Sequence, residues 1–587
     1  MTHDIVIKDG LIHDGSGGTP FHADIGIRDG LIAEIGRITP NGARVIDAAG
    51  AIVTPGFVDI HTHYDGQACW DPELGPSSRH GVTTVVTGNC GVGFAPLRPG
   101  TAQQLIELME GVEEIPGVAL AEGVPFDWES FADYLASLER IPRAIDVATQ
   151  IAHDPLRLYV MGERGAAGEE ANDDEREAMR RLVAEAVRAG AFGVSTGRTD
   201  VHKTARGADT PARDASAREL EALALGAKDG GGRIQVVSDF RLAEGPEAFD
   251  PEFDLVDRMA EVSGCPLSLS LNQRDLAPDQ WKRILERVER ANARGLEMRV
   301  QVGARGIGVF FGLETTLNPL MSLAAYRELM DRPLAERVRT LRDSAFRERL
   351  LAQQPEKLSG PGSPVPPLAD IIIERLDFFA TRFFRLGDPP DYEPPMEASL
   401  YMESRRRGVG VMEAILDAML EDDGRQLIYF PIYNYARFDL EDLRTMLTHP
   451  HALPALSDGG AHVGTVCDAS FPTFMLTHWG RDRSRGPKMP LEWLVMKQTR
   501  DNARFMGLDD RGEISPGRIA DINVIDFDRL ALKPPRLRHD LPAGGRRLYQ
   551  EAEGYLATLK SGVPILLDDE PTGETPGRLL RRGRPAN

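Results

Sequence analysis

From Pro55 to about residue 504 the chain repeats one pattern, and that pattern limits the folds open to it. A short apolar run rich in β-branched residues stops at a polar or glycine-containing turn, and a stretch with helical spacing follows. Such runs occupy residues 57–60, 80–88, 144–151, 191–195, 234–237, 266–271, 297–302 and 426–432, and another ends at Ala455-Leu456-Ser457-Asp458. Residues 175–189 and 281–294 are examples of the helical stretches between them. Strands alternating with helices favour a parallel sheet. At this length the expected fold class is α/β, as a closed (β/α)8 TIM barrel with its chemistry at the strand C-terminal ends. Residues 310–400 break the rhythm with Arg-rich helical segments, a Pro-Gly stretch and Pro389-Pro390, and read as an insertion able to close over a site.

The flanks differ. Residues 4–53 alternate apolar and polar side chains around Asp9-Gly10 and Asp29-Gly30, strong hairpin signals. Alternation returns at residues 512–526, and residues 554–562 read as a further strand pair. Both termini are therefore expected to build one small β-sandwich. The predicted divisions are residues 1–54, 55–504 and 505–587, with a loose tail at 577–587.

A net charge of -22 argues against nucleic acid or anionic membrane as a partner. No uncharged apolar run approaches the roughly 18 residues of a membrane span, and the first residues lack a basic-then-apolar leader pattern. Four cysteines in 587 residues do not make a disulfide framework, so the reading is a reducing, cytoplasmic setting. The expected partner is a small-molecule substrate, with a homo-oligomer open through the sandwich or the insertion.

His61 and His63 follow the first apolar run two residues apart, so an extended chain points both imidazoles the same way. Cys90 and Asp458 sit where two other runs end in glycine-rich turns. Nitrogen, sulfur and oxygen donors on one face suit zinc. Bound water there would titrate near about pH 7, with Asp458 as proton acceptor. The plainer reading of Cys90 is a small core residue.

Four motifs resemble the amidohydrolase superfamily, and within it the N-acyl-D-amino-acid deacylases (D-aminoacylases). They are Pro55-Gly-Phe-Val-Asp-Ile-His-Thr-His63, Gly81-Val-Thr-Thr-Val-Val-Thr-Gly-Asn-Cys-Gly91, Ser457-Asp458-Gly459, and Pro516-Gly-Arg-Ile-Ala-Asp521 after Gly512. The resemblance implies a metal-dependent barrel beside a β-sandwich, one or two zinc ions or another divalent metal, and Cys90 where many relatives use a carboxylated lysine. It implies hydrolysis of a non-peptide amide, in an N-acyl-D-amino acid, with Asp458 as acid/base.

The chain departs from the deacylase pattern at three places. Asp239 stands where a ligand histidine belongs, Leu271-Asn272-Gln273 replaces a His-His-Lys run, and Gln301–Arg305 replaces a Tyr-Pro-Tyr motif. His61, His63 and Asp458 are then expected to hold the better-occupied metal, with Cys90 and Asp239 for a second. Asp239 reads equally as an ion pair to Arg241. Substrate contacts are expected from His153, Asn272, Arg305 and His462, with Arg274 and Arg198 as further partners for a substrate carboxylate. The alternatives are a different amide, a cyclic amide or lactone on the same scaffold, or a binding protein without catalysis.

Overall fold

The computed structural model describes residues 3–583. Its parallel strands fall into two runs. Val82–Thr87 pairs with Phe57–Asp59 on one side and with Asp146–Thr149 on the other. Past Gln150 the chain continues as Ile151–Ala152, the edge of a six-stranded parallel sheet. From that edge the order is Gly193–Arg198, Arg233–Ser238, Leu267–Ser270, Met298–Val302 and Ala452–Pro454. Beyond Pro454 the chain returns to the first run, where Gly459 bridges Thr62 in parallel. All six residues of Val82–Thr87 are buried. Strands covered on both faces read as continuous apolar runs, which is why they stood out in the sequence. One apolar cluster combines Val58, Val86, Ala148, Phe192 and Leu453, so the first and last parallel strands share a core.

The run at 426–432 was expected among the parallel strands. Instead Ile428–Pro431 lies antiparallel to Gly308–Phe311 and to Phe384–Arg385. These strands and the helices around them enclose a separate core containing Phe311, Leu320, Phe383, Ile415 and Phe430. The inserted segment therefore extends well past residue 400.

Strands from both ends of the chain share a nine-stranded sheet, joined where Ile522–Ile525 pairs antiparallel with Ile52–Pro55. Asp29-Gly30 forms the expected tight hairpin, with φ of 52° and 75°. Asp9-Gly10 does not turn the chain. Ile5–Ile12 is one strand with a bulge between Ile7 and Gly10. The buried Asp24 carboxylate holds that bulge, accepting from Asp9 N–H at 3.0 Å, Lys8 Nζ at 2.6 Å and Ile38 N–H at 2.7 Å.

The expected loose tail is packed as far as it is described. Gly577 bridges Arg143, Leu579 bridges Val147, and Leu580 is buried in the cluster with Val58. Residues 584–587 of that expectation lie outside the described residues. Among the described residues no helix is long and apolar enough to cross a membrane, and all four cysteines are free.

Candidate metal centre

The backbone brings three strand ends together. Thr62 turns its hydroxyl outward to Val86 O at 2.8 Å, leaving His61 and His63 on the opposite side, as alternation requires. His63 N–H donates to Gly459 O at 2.8 Å, which fastens the Ser457–Gly460 turn beside the histidines. The Ser457 hydroxyl donates to the buried Asp59 carboxylate. In the Gly88–Gly91 turn, Cys90 adopts a left-handed φ of 57°. A Cβ on Gly88 would meet Gln150 O at 2.2 Å, and one on Gly91 would meet Gly197 N at 2.6 Å. Only glycine lets the turn approach its neighbours this closely. Asn89 Nδ2 pins the turn through Thr62 O at 3.1 Å and Val86 O at 2.9 Å, and Cys90 N–H donates to Gln235 Oε1 at 2.8 Å.

The result is a compact donor set. His61 Nε2 lies 3.2 Å from Cys90 Sγ and 3.3 Å from Asp458 Oδ1, and His63 Nε2 lies 3.8 Å from the same oxygen. The ligand atoms of His61, His63 and Cys90 all fall within 4.8 Å of one another. Tetrahedral zinc bonds of about 2.0–2.3 Å give donor–donor edges of about 3.3–3.8 Å, so the spacings of 3.2, 3.3 and 3.8 Å fit. His61 Nδ1 faces Gln301 Oε1 at 2.5 Å, and Gln301 Nε2 in turn donates to Ser268 Oγ at 3.1 Å. An amide oxygen only accepts, so the proton sits on Nδ1 and the Nε2 lone pair points into the cluster.

Burial sets the protonation. It pushes His61 down to about 4 and His63 well below its usual value, so both rings are neutral donors at pH 7. Burial, with Asp458 and Glu113 nearby, pushes the Cys90 thiol up. Burial alone lifts Asp458 to about 7. Three buried donors and the partly exposed Asp458, with no lysine or arginine among them, fit a divalent cation, which would favour the ionised thiol and carboxyl.

Several predicted residues are not in this cluster. Asp239 turns away: its carboxylate accepts from Asp200 N–H at 2.7 Å and Arg241 N–H at 2.9 Å, while Arg274 donates to the carbonyls of Ser238 and Asp239. That matches neither the ligand reading nor the Arg241 ion pair. His153 has both ring nitrogens occupied, by Thr196 Oγ1 and Glu219 Oε1, each at 2.9 Å, and is fully buried. Arg305 is fully buried against Asp468 at 2.9 Å and over the Tyr392 ring at 3.8 Å. Arg198 is committed to Glu252 and Ala215 O. Asn272 Oδ1 accepts from Asn434 Nδ2 at 3.2 Å. These contacts tie the side chains into the scaffold. His462 does reach the site, partly exposed, with Nε2 3.9 Å from Glu113 Oε2.

The sequence reading missed Glu113, Gln301, Gln235 and His202. Glu113 is buried at the end of helix Ala102–Glu113, with Oε1 3.1 Å from His63 Nδ1. The His202 ring lies 6.4 Å from that of His462. Gln301 and Gln235 sit inward on their strands, where an interrupted apolar run was the only signal.

Residues 44–360 and 413–566 match the amidohydrolase family. The chain belongs to that family. This amidohydrolase is 28% identical to an uncharacterised Mycobacterium tuberculosis protein over 90% of its own length and 85% of the relative's. It is 41% identical to N-acyl-D-aspartate deacylase of Alcaligenes xylosoxydans xylosoxydans, over 33% of this chain and 36% of that one. Among solved structures, D-aminoacylase is similar with a TM-score of 0.62 and 24% identity, over 99% of this chain and 100% of the other. The zinc and phosphonate complex of N-acyl-D-glutamate deacylase from Bordetella bronchiseptica gives 0.64 and 24% over the same shares. The fold is the α/β fold of those proteins. With this family and this donor set, the amidohydrolase is a metal-dependent hydrolase acting on carbon–nitrogen bonds.

Proposed function

We propose that the protein removes the acyl group from an N-acyl-D-amino acid, with His61, His63, Cys90 and Asp458 holding the metal and Asp458 moving the proton. The observation that carries this reading is the convergence of Asp458 Oδ1 and Cys90 Sγ on the same His61 nitrogen, at 3.3 and 3.2 Å. A divalent cation supplies Lewis acidity and a nucleophile at neutral pH. The chain does the rest. Gln301 holds the His61 ring, and the buried walls exclude water from the ligands. The Asp458 carboxylate, with its side chain 17% exposed, takes a proton from the nucleophile and returns it to the leaving nitrogen. One cation suffices on this reading, because Asp239 and Asn272 are engaged elsewhere.

The scaffold reading goes with it. The two parallel runs are arcs of one (β/α)8 barrel, supported by the Thr62–Gly459 bridge and the shared Val58–Leu453 cluster. The terminal strands form the β-sandwich beside it, and residues 55–504 hold the barrel with its insertion. Four free cysteines support a reducing cytoplasm, and a homo-oligomer is part of the proposal. A second reading, a different amide or a cyclic amide, is favoured by one observation. Arg198 and Arg305 are committed to buried carboxylates, and Arg274 to backbone carbonyls. Two of the three are thus held in buried ion pairs, and the terminal nitrogens of Arg274 are bonded to the backbone. A hydrolysis screen of zinc-loaded enzyme on N-acyl-D- and N-acyl-L-amino acids and cyclic amides tests both. Turnover of N-acyl-D-amino acids that falls by about 10²–10⁴ in Asp458→Asn supports the first. Turnover confined to cyclic amides moves the assignment to the second, and none on any amide refutes both.

A further inference from the structure

Helix Ala102–Glu113 ends in a carboxylate that its surroundings do not neutralise. Glu113 is 1% exposed. A buried carboxylate is costly unless paired, and the C-terminal end of a helix is the wrong end for a negative charge. Among the described residues its ion-pair contacts are imidazoles alone: Oε1 with His63 Nδ1 at 3.1 Å, and Oε2 with His462 Nε2 at 3.9 Å. The 3.1 Å approach lacks hydrogen-bond alignment, so His63 Nδ1 and Glu113 Oε2 are both buried polar atoms without a hydrogen-bond partner. The helix end is fixed to the loop after Asp458, since Val463 N–H donates to Glu113 O at 3.2 Å and the Thr465 hydroxyl to Glu114 at 2.7 Å. The backbone at Glu113 cannot shift without moving that loop.

We infer that Glu113 is a positioning residue for the metal: its Oε1, 3.1 Å from Nδ1, is placed to accept the His63 Nδ1–H and so leave Nε2 facing the cation shared with His61, Cys90 and Asp458. His61 has its own acceptor in the Gln301 amide; Glu113 is the counterpart for His63. A cation behind His63 would favour the ionised form of this buried carboxyl. This inference rests on the metal-dependent reading above.

Zinc affinity by chelator competition and the visible spectrum of the cobalt-substituted protein test it, in wild type, Glu113→Gln, Glu113→Leu and the control Glu114→Gln. The expected result is a 10–100-fold loss of zinc affinity with shifted cobalt bands in Glu113→Leu, a smaller loss in Glu113→Gln, whose amide oxygen still accepts, and an unchanged Glu114→Gln. Where Glu113→Leu fails to fold, Glu113→Met carries the test. A folded Glu113→Leu or Glu113→Met with zinc affinity within twofold of wild type and the wild-type cobalt spectrum overturns the inference alone. So does an equal loss in Glu114→Gln, which would mark a packing effect of the helix end. Wild-type protein that takes up neither metal overturns this inference and the metal-dependent reading together.

Discussion

Replacing Gln301 with leucine tests whether His61 is held as described. Gln301 is 2% exposed and connects two groups, His61 Nδ1 at 2.5 Å and Ser268 Oγ at 3.1 Å. Leucine keeps most of the volume and removes both hydrogen bonds. Two buried polar groups are left unpaired, at about 1–3 kcal/mol each, so the fold should lose roughly 2–6 kcal/mol. Metal binding should suffer separately, because a free imidazole populates the wrong tautomer and rotates. Loss of such a partner lowers affinity by about 10–100-fold, which is about 1.4–2.7 kcal/mol. Gln301→Glu keeps the geometry and strengthens the bond by charge, so its zinc affinity should match or exceed wild type. Chelator competition at pH 7.5 reads the affinity, and urea unfolding of the metal-stripped protein reads the fold. A Gln301→Leu protein that is destabilised yet binds zinc within twofold of wild type would refute the claim that this amide orients His61.

Three further outcomes follow from the geometry. Cys90→Ser should remove the near-ultraviolet sulfur-to-cobalt charge-transfer band of the cobalt-substituted protein; a surviving band would place the sulfur outside the coordination shell. Arg305→Met should destabilise by about 3–5 kcal/mol, since Asp468 is left buried and unpaired, whereas Arg305→Met with Asp468→Leu should recover much of the loss in urea unfolding. Burial opposes ionisation of Glu393, yet bonds from His478, Arg483 and Leu440 N–H bring it down to about 2 from 4.5. A depressed carboxyl stabilises the fold above its unfolded value and loses that contribution as pH falls from about 4.5 towards 2. The difference in urea midpoint between wild type and Glu393→Gln should therefore shrink across that window, by on the order of 2 kcal/mol after allowing for solvent screening; a constant difference would show that the ion pairs do not act.

What the sequence reveals depends on how local each signal is. His61, His63, Cys90 and Asp458 were legible because each ends an apolar run, and a reactive side chain there is unusual. Glu113 was not, because an acidic residue on an amphipathic helix reads as solvent-facing until its neighbours in space are known. Gln301 carries no charge and no motif. The segment Ile428–Pro431 shows the same limit for the fold: an apolar run looks alike in a parallel sheet and in an antiparallel insertion, and only its partner strands differ. Asp9-Gly10 carried a turn signal that Asp24, 15 residues away, converts into a bulge. The tail at 577–583 looked polar and loose because Leu580 is its one buried side chain, and its backbone bridges to Arg143 and Val147 leave no mark in the sequence.

The sheet shared by both ends of the chain imposes an order on synthesis. Ile52–Pro55 leaves the ribosome early, yet its neighbour Ile522–Ile525 is translated some hundreds of codons later. At about 5–20 residues per second that is tens of seconds with an unpaired apolar edge. Nascent protein should therefore depend on chaperones more than finished protein does, and premature termination anywhere before Ile522 should yield an aggregating fragment rather than a smaller enzyme.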